Sequence, residues 1–434
     1  MRFRSSLLRA AFVCFVSAAA ALSATSGAGA SDYQVLFRSC VDRDCSEGYS
    51  PKAALVRDSQ GNLFGTAASN FGGVVFELKK TGTGFEYRKI YEFCLDDFGG
   101  ACLDGWGPVG GLILDTKGNL YGTTQGGGSS QFAGTVYRLS PGRHGKWAHK
   151  ILYVFCATGT CADGYSPSSE LTYQDAQGGA PYDGTSPLFG TTTGGGSHGN
   201  GVVFRLAFGR HATAEQVLYS FCALIDCTDG IHPSGGVAMD AHGNLYGNTD
   251  DYGANGSGGT TYALLRDGKN YSFTVLHDYC AVFGCKDGQN PAGALTIDAH
   301  GDLVGATRHG GAHGWGTVFR LARRGGVWKH TRLYSFCSDA GHGCADGMEP
   351  NGNLLVDASG DIFGTTKRSD RVPGGVVYRL QGNTQTVLYG FCSEADCQDG
   401  AVPTSGVIQD ASGILYGTTS QTSGTGGTIY ELMP

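Results

Sequence analysis

Fourteen of the fifteen cysteines fall into seven evenly placed pairs, and no other feature limits the fold as much. The pairs are Cys40 with Cys45, Cys94 with Cys102, Cys156 with Cys161, Cys222 with Cys227, Cys280 with Cys285, Cys337 with Cys344, and Cys392 with Cys397. Cys40 to Cys392 spans 352 residues over six intervals, a mean period of about 59. A unit of this size cannot bury its apolar face alone, so the copies must pack on one another. Repeat four shows the unit clearly. Val217-Leu218-Tyr219-Ser220-Phe221 leads to Cys222, a loop to Cys227, then Asp229-Gly230 and Pro233. Three further β-prone segments follow: Gly236 to Asp240, Gly243 to Gly247 and Gly259 to Leu264. Each has strand length, and no helical period is visible after the leader.

Four short strands repeated seven times predict an all-β, seven-bladed β-propeller of four-stranded blades. The chain's phase predicts how the ring closes. Tyr33 to Phe37 matches the segment before each first cysteine, and the chain ends at Thr428 to Leu432, the segment just ahead of that one. The N-terminal strand should therefore complete the last blade and cover its open edge. An Asp-x-x-Gly turn recurs in six copies: Asp58–Gly61, Asp115–Gly118, Asp240–Gly243, Asp298–Gly301, Asp357–Gly360 and Asp410–Gly413. One carboxylate per turn is too few for a calcium loop, so these turns are structural. Repeat three inserts residues 177–184, expected to protrude.

Residues 1–30 have the features of a secretory signal peptide. Arg2, Arg4 and Arg9 precede an apolar stretch, Ala10 to Leu22, too short to span a membrane. Ala28-Gly29-Ala30 is the expected cleavage site, leaving residues 31–434 as one propeller domain. Cys14 leaves with the leader. An even set of fourteen cysteines in an exported chain implies disulfides. Each pair is expected to bond within its own repeat and to clip the loop joining one blade to the next. Their unequal gaps do not suit a zinc knuckle. Losing the leader arginines leaves 28 basic against 38 acidic residues, a net charge of −10. That argues against nucleic acid as a partner. No second apolar run reaches membrane-spanning length, so a soluble protein is expected, periplasmic or extracellular.

Asp115 to Thr124 (Asp-Thr-Lys-Gly-Asn-Leu-Tyr-Gly-Thr-Thr) resembles the Gloeo/Verruco (GloVer) tandem repeat. So do Gly134-Thr135-Val136-Tyr137-Arg138-Leu139 and Val217 to Phe221, and the resemblance covers residues 33 to 434. It implies bacterial export and a propeller, and transfers no active site. Family members often carry C-terminal sorting anchors; here none is expected, since the sequence reaches Pro434 without one. A cysteine pair in every repeat looks like a subgroup trait.

Positions shared by all copies are expected to be scaffold, and positions where a copy departs are better candidates for function. After Gly-Thr-Thr most blades carry small or uncharged residues. Blades four to six instead carry Asp250, Asp251 and Tyr252; Arg308, His309, His313 and Trp315; and Lys367, Arg368 and Arg371. These should gather on the face of the cysteine loops. Tyr49, Trp106 and Tyr165 follow the Asp-Gly or Glu-Gly of those loops in blades one to three. They would stack on sugar faces or pack between neighbouring blades. A solvated polar rim is the plain alternative.

Two functions follow. The first is a binding or interaction module for a glycan or protein ligand, with cell-surface or environmental glycans foremost. The second is a carbohydrate-active enzyme, a polysaccharide lyase or glycoside hydrolase. In it Asp250 or Asp251 is the acid or base, His309 a proton carrier and Arg308 or Arg371 a carboxylate fork. The sequence has no nucleophile elbow, phosphate loop or dinucleotide fingerprint, so no cofactor is expected, nor a metal site. A monomer is the expected state.

Overall fold

The fold was described from a computed structural model covering residues 32–434 other than 41–44, 71, 96–101, 129–132, 177–178, 210–212, 339–340, 342, 371–373, 423 and 425. The expected signal peptide and Arg371 lie outside the described residues. Seven antiparallel sheets form a seven-bladed propeller. In blade four, strand A (Ile231–Met239) is followed by B (Leu245–Asp251), C (Thr260–Asp267) and D (Asn270–Asp278), in that spatial order. Blades five and six repeat this pattern. Strand A is split or shortened in the others, and in blade three it is reduced to the isolated bridges Thr172–Phe189 and Tyr165–Gly194.

The ring closes as the phase predicts. Tyr33–Arg38 pairs with Thr428–Leu432, with Tyr33 opposite Leu432 and Arg38 opposite Thr428. The first strand of the chain is therefore strand D of blade seven.

The Leu-Tyr-Gly-Thr-Thr signature has a packing cause. The glycine of strand B faces a fully buried ring on strand C. A Cβ on Gly247 would lie 2.4 Å from the Tyr262 hydroxyl, and one on Gly417 would lie 2.3 Å from that of Tyr430. Only glycine leaves room for the ring, so the Gly and the Tyr or Phe recur together. The second threonine is buried but satisfied: Thr249 Oγ1 and Thr260 Oγ1 are 2.9 Å apart, and Thr307 and Thr317 repeat the bond at 2.8 Å.

The Asp-x-x-Gly turns are structural hubs. Asp240 Oδ1 accepts the amides of His242 and Asn244, and Oδ2 accepts the Asn244 side chain and the Tyr246 hydroxyl. Gly243 holds φ at 81°, the left-handed region that the turn demands. Asp58 and Asp115 make the same set of turn bonds.

Seven disulfides clip the D–A loops, each within one repeat as expected. Cys40 bonds Cys45, Cys94 bonds Cys102, Cys156 bonds Cys161 and Cys222 bonds Cys227. In the later blades Cys280 bonds Cys285, Cys337 bonds Cys344 and Cys392 bonds Cys397. The paired Cα atoms are 3.9 to 4.7 Å apart. All fourteen of these cysteines adopt left-handed φ values between 41° and 65°. The loop aspartate braces the same turn. Asp163 accepts the Cys156 amide and the Tyr153 hydroxyl, and Asp399 accepts the Tyr389 hydroxyl and the Ser393 amide.

The insertion in repeat three does not simply protrude. Tyr182 is fully buried and folds back onto blade two. Its backbone pairs with Leu114 and Thr116, its ring meets Tyr121 edge-on at 5.1 Å, and its hydroxyl donates to Ser186 O. An aromatic in a polar insertion had a core position to fill.

Candidate functional site

Strand A of every blade opens with the same device. The residue before the first proline has a left-handed backbone, and in blades two to seven its amide donates to a carbonyl of the preceding blade. Asn290 N bonds Gly258 O, and Glu349 N bonds Trp315 O. One residue earlier stands a position that pairs across to strand B of its own blade. In blades one to three these pairs are Tyr49–Ala68, Trp106–Gly126 and Tyr165–Gly194. In blades four to six they are Ile231–Asp251, Gln289–His309 and Met348–Arg368. The aromatics of one half of the ring and the polar residues of the other are thus two sides of one cross-strand pair. Where strand B has glycine, an aromatic covers it, as Trp106 does over Gly126 and Tyr165 over Gly194. Trp106 and Tyr165 thus each lie on a glycine of their own blade and stay 37% and 41% exposed.

One position back along strand B lie Asp250, Arg308 and Lys367, equivalent residues of three adjacent blades. The structure brings them together. Arg308 Nη1 is 2.5 Å from Asp250 Oδ1, and Arg308 Nε is 3.4 Å from Asn351 Oδ1 of the next blade. Asn290 links the layers by donating to Asp250 O and meeting His309 Nδ1 at 3.2 Å. Arg368 is 3.4 Å from Glu349. Lys367 is half-buried, and its ammonium has no hydrogen-bond partner among the described residues. Its pKa is lowered by burial first and by Arg308 next, against weaker help from Glu349 and Asp250. Three cations thus crowd two carboxylates. Around them Tyr252 is 46% and Trp315 38% exposed, His309 and His313 are exposed, and Asp251 is half-exposed. Glu349, which no loop pattern singled out, joins the cluster from strand A.

The profile of the Gloeobacter/Verrucomicrobia repeat matches residues 176–345 and 283–434. The chain belongs to that repeat family. No curated protein matches this GloVer propeller significantly in sequence. Among solved structures it is similar to virginiamycin B lyase from Staphylococcus aureus. The TM-score is 0.54 at 11% identity, covering 93% of this chain and 99% of that one. It is also similar to PorZ, a bacterial surface component of the type-IX secretion system of Porphyromonas gingivalis. There the TM-score is 0.51 at 11% identity, over 87% of this chain and 46% of that one. At such identities the likeness is one of fold. Seven disulfides mark the GloVer propeller as exported and non-cytoplasmic. Among the described residues no helix is long and apolar enough to cross a membrane.

A second polar group of this GloVer propeller lies away from the loops, on the propeller axis. Glu170 of blade three and Asn353 of blade six meet there, with Asn353 Nδ2 3.2 Å from Glu170 Oε2. Both line an 820 Å³ cavity opening toward the Asp-x-x-Gly turns. Arg57, which breaks the apolar pattern at the end of strand A, lines the same cavity, 4.0 Å from Asp410 of blade seven.

Proposed function

We propose that the protein is an exported binding module that holds a carboxylated glycan on its cysteine-loop face, over blades four to six. The supporting observation is Lys367, a half-buried ammonium without a hydrogen-bond partner among the described residues, crowded by Arg308. An anionic ligand relieves that crowding, and a uronate carboxylate suits both a guanidinium fork and an ammonium. Tyr252 and Trp315 offer exposed rings for the apolar faces of sugars. Asp250, the acid–base candidate, already engages Arg308, which favours recognition over turnover. The protein would act in the periplasm or outside the cell, as a monomer.

The test is calorimetric titration of the mature chain with oligogalacturonate and with a neutral oligogalactan. Lys367→Ala should weaken oligogalacturonate binding about tenfold or more, the worth of one charge-assisted hydrogen bond. Ser420→Ala and Gln125→Ala, at equivalent positions of blades seven and two, should not. Equal affinity in all three folded variants, or preference for the neutral sugar, removes the site from this sector.

A further inference from the structure

The seven strand starts converge on the propeller axis, where there is almost no room for side chains. A Cβ on Gly406 would lie 1.9 Å from the Asn353 carbonyl oxygen, and one on Gly236 would lie 2.6 Å from that of Glu170. Backbone is thus packed on backbone around the ring. Three residues past the first proline of strand A, five blades accordingly carry Gly or Ala: Ala54, Gly111, Gly236, Ala294 and Gly406. Blade three has Glu170 there and blade six has Asn353.

These two side chains form a septum across the axis. On one side is the 820 Å³ cavity, on the other a 150 Å³ depression beneath the cysteine-loop face, and both residues line both spaces. Asn353 is fixed by the Ala294 amide, which donates to its Oδ1 at 2.8 Å, so its NH2 group is aimed at Glu170. Glu170 is half-buried, its side chain meeting both of the spaces that it divides. Its carboxyl rises to about 7 through burial, and the Asn353 bond opposes the shift only in part. No cation contributes. A carboxylate that burial disfavours occupies a position where five blades manage with no side chain beyond a methyl.

The cavity has a second asymmetry from the same blade. The insertion of repeat three, anchored by Tyr182, walls it with Gly179, Ala180 and Pro181. The wall is mixed: Val56, Leu114, Tyr173 and Pro181 offer partly exposed apolar surface beside the polar groups, whereas Leu112, Leu171, Leu295 and Leu354 are buried behind it against the glycines of strand B. We infer that this axial cavity is a second binding site, for an organic cation: an ammonium group on an apolar body, with Glu170 as its counter-ion and Asn353 orienting that carboxylate. A cation supplies what the fold leaves out beside Glu170, and Val56, Leu114, Tyr173 and Pro181 receive the ligand's body.

The alternative is that Glu170 only holds Asn353, a task that glutamine performs equally well. Calorimetry with benzylamine and its neutral relative benzyl alcohol separates the two. The other titratable or charged groups facing the cavity are Arg57, Asp58, Asp115, Lys117 and Tyr173. Benzylamine should bind at pH 8 and weaken more than tenfold by pH 5.5, as Glu170 takes its proton. Benzyl alcohol should not bind. Glu170→Gln should lower benzylamine affinity at least tenfold with an unchanged melting temperature, whereas Lys367→Ala on the opposite face should have no effect. The unaltered chain gives an independent check: titration at pH 7 in two buffers of different ionisation heat should show release of about half a proton per benzylamine bound. Equal affinity in Glu170→Gln, equal binding of benzyl alcohol, no proton release, or no benzylamine binding overturns the inference.

Discussion

Tyr33 carries the closure of the ring, and the structure sets what its loss should cost. Its ring stacks on Tyr389 of blade six with centroids 3.8 Å apart and planes within 8°, and it lies 5.5 Å from Tyr430 of its own blade. The hydroxyl donates to Asp399 O at 2.5 Å. Removing a large aromatic from a packed site costs about 3–5 kcal/mol, and the partial exposure of Tyr33 puts Tyr33→Ala near the low end. Tyr33→Phe loses only the hydrogen bond, about 1 kcal/mol. For a domain of some 400 residues the unfolding entropy is about 0.8 kcal/mol/K, so Tyr33→Ala should lower Tm by about 4 °C and Tyr33→Phe by about 1 °C. The sharper assay is a double-mutant cycle of Tyr33→Ala and Tyr389→Ala, followed by thermal unfolding. Stacked rings couple by about 0.5–1.5 kcal/mol beyond their burial. Deleting residues 31–38 should go further, exposing the edge of Thr428–Leu432 to exchange and aggregation. A coupling energy of zero, with a truncated chain as stable and soluble as the intact one, would refute closure by this strand.

Three further outcomes are expected. Tyr182→Ala should cost about 3–5 kcal/mol and speed amide exchange at Thr116, whose N–H donates to Tyr182 O; unchanged exchange there would mean the insertion is not anchored by this residue. Replacing Cys222 and Cys227 together by serine should destabilise more than replacing both by glycine, because both positions sit at left-handed φ, 65° and 53°, where a Cβ costs about 1 kcal/mol each; the opposite order in thermal melts would contradict this. Acid should weaken the stacked pair His277–His330, because burial, then His277 and Arg332, hold His330 at about 3 instead of 6.5. The unfolded chain takes up the proton first, so stability contributed by neutral His330 is present above pH 6.5 and lost progressively as pH falls toward 3. Asp278, raised to about 6 by burial, acts with the opposite sign, so the readout is the flatter acid limb of His330→Phe relative to the parent chain.

What the sequence made legible, and what it hid, follows from where symmetry holds. The cysteine pairs, the Asp-x-x-Gly turns and the terminal strand each repeat a local chemical demand, so the propeller, the seven loop clips and the closure were readable from period and phase alone. The cross-strand pair was not. Trp106 and Arg368 looked like separate signals because register decides that one faces Gly126 and the other Met348, and a short strand does not announce its register. Tyr182 was hidden for a related reason: an insertion without strand pattern gives no sign that a neighbouring blade has space for one ring. Glu170 was visible in principle. It breaks the pattern of seven equivalent positions as plainly as Arg308 does, but it sits three residues past the proline that starts strand A, far from the Gly-Thr-Thr segment where the loops diverge. Only the closed ring turns that position into an axial one, bringing residues 183 apart in sequence within 3.2 Å. A repeat protein is therefore best compared copy by copy along its whole unit, strand starts included. The closure that makes the scaffold regular also gathers its irregular residues at one point.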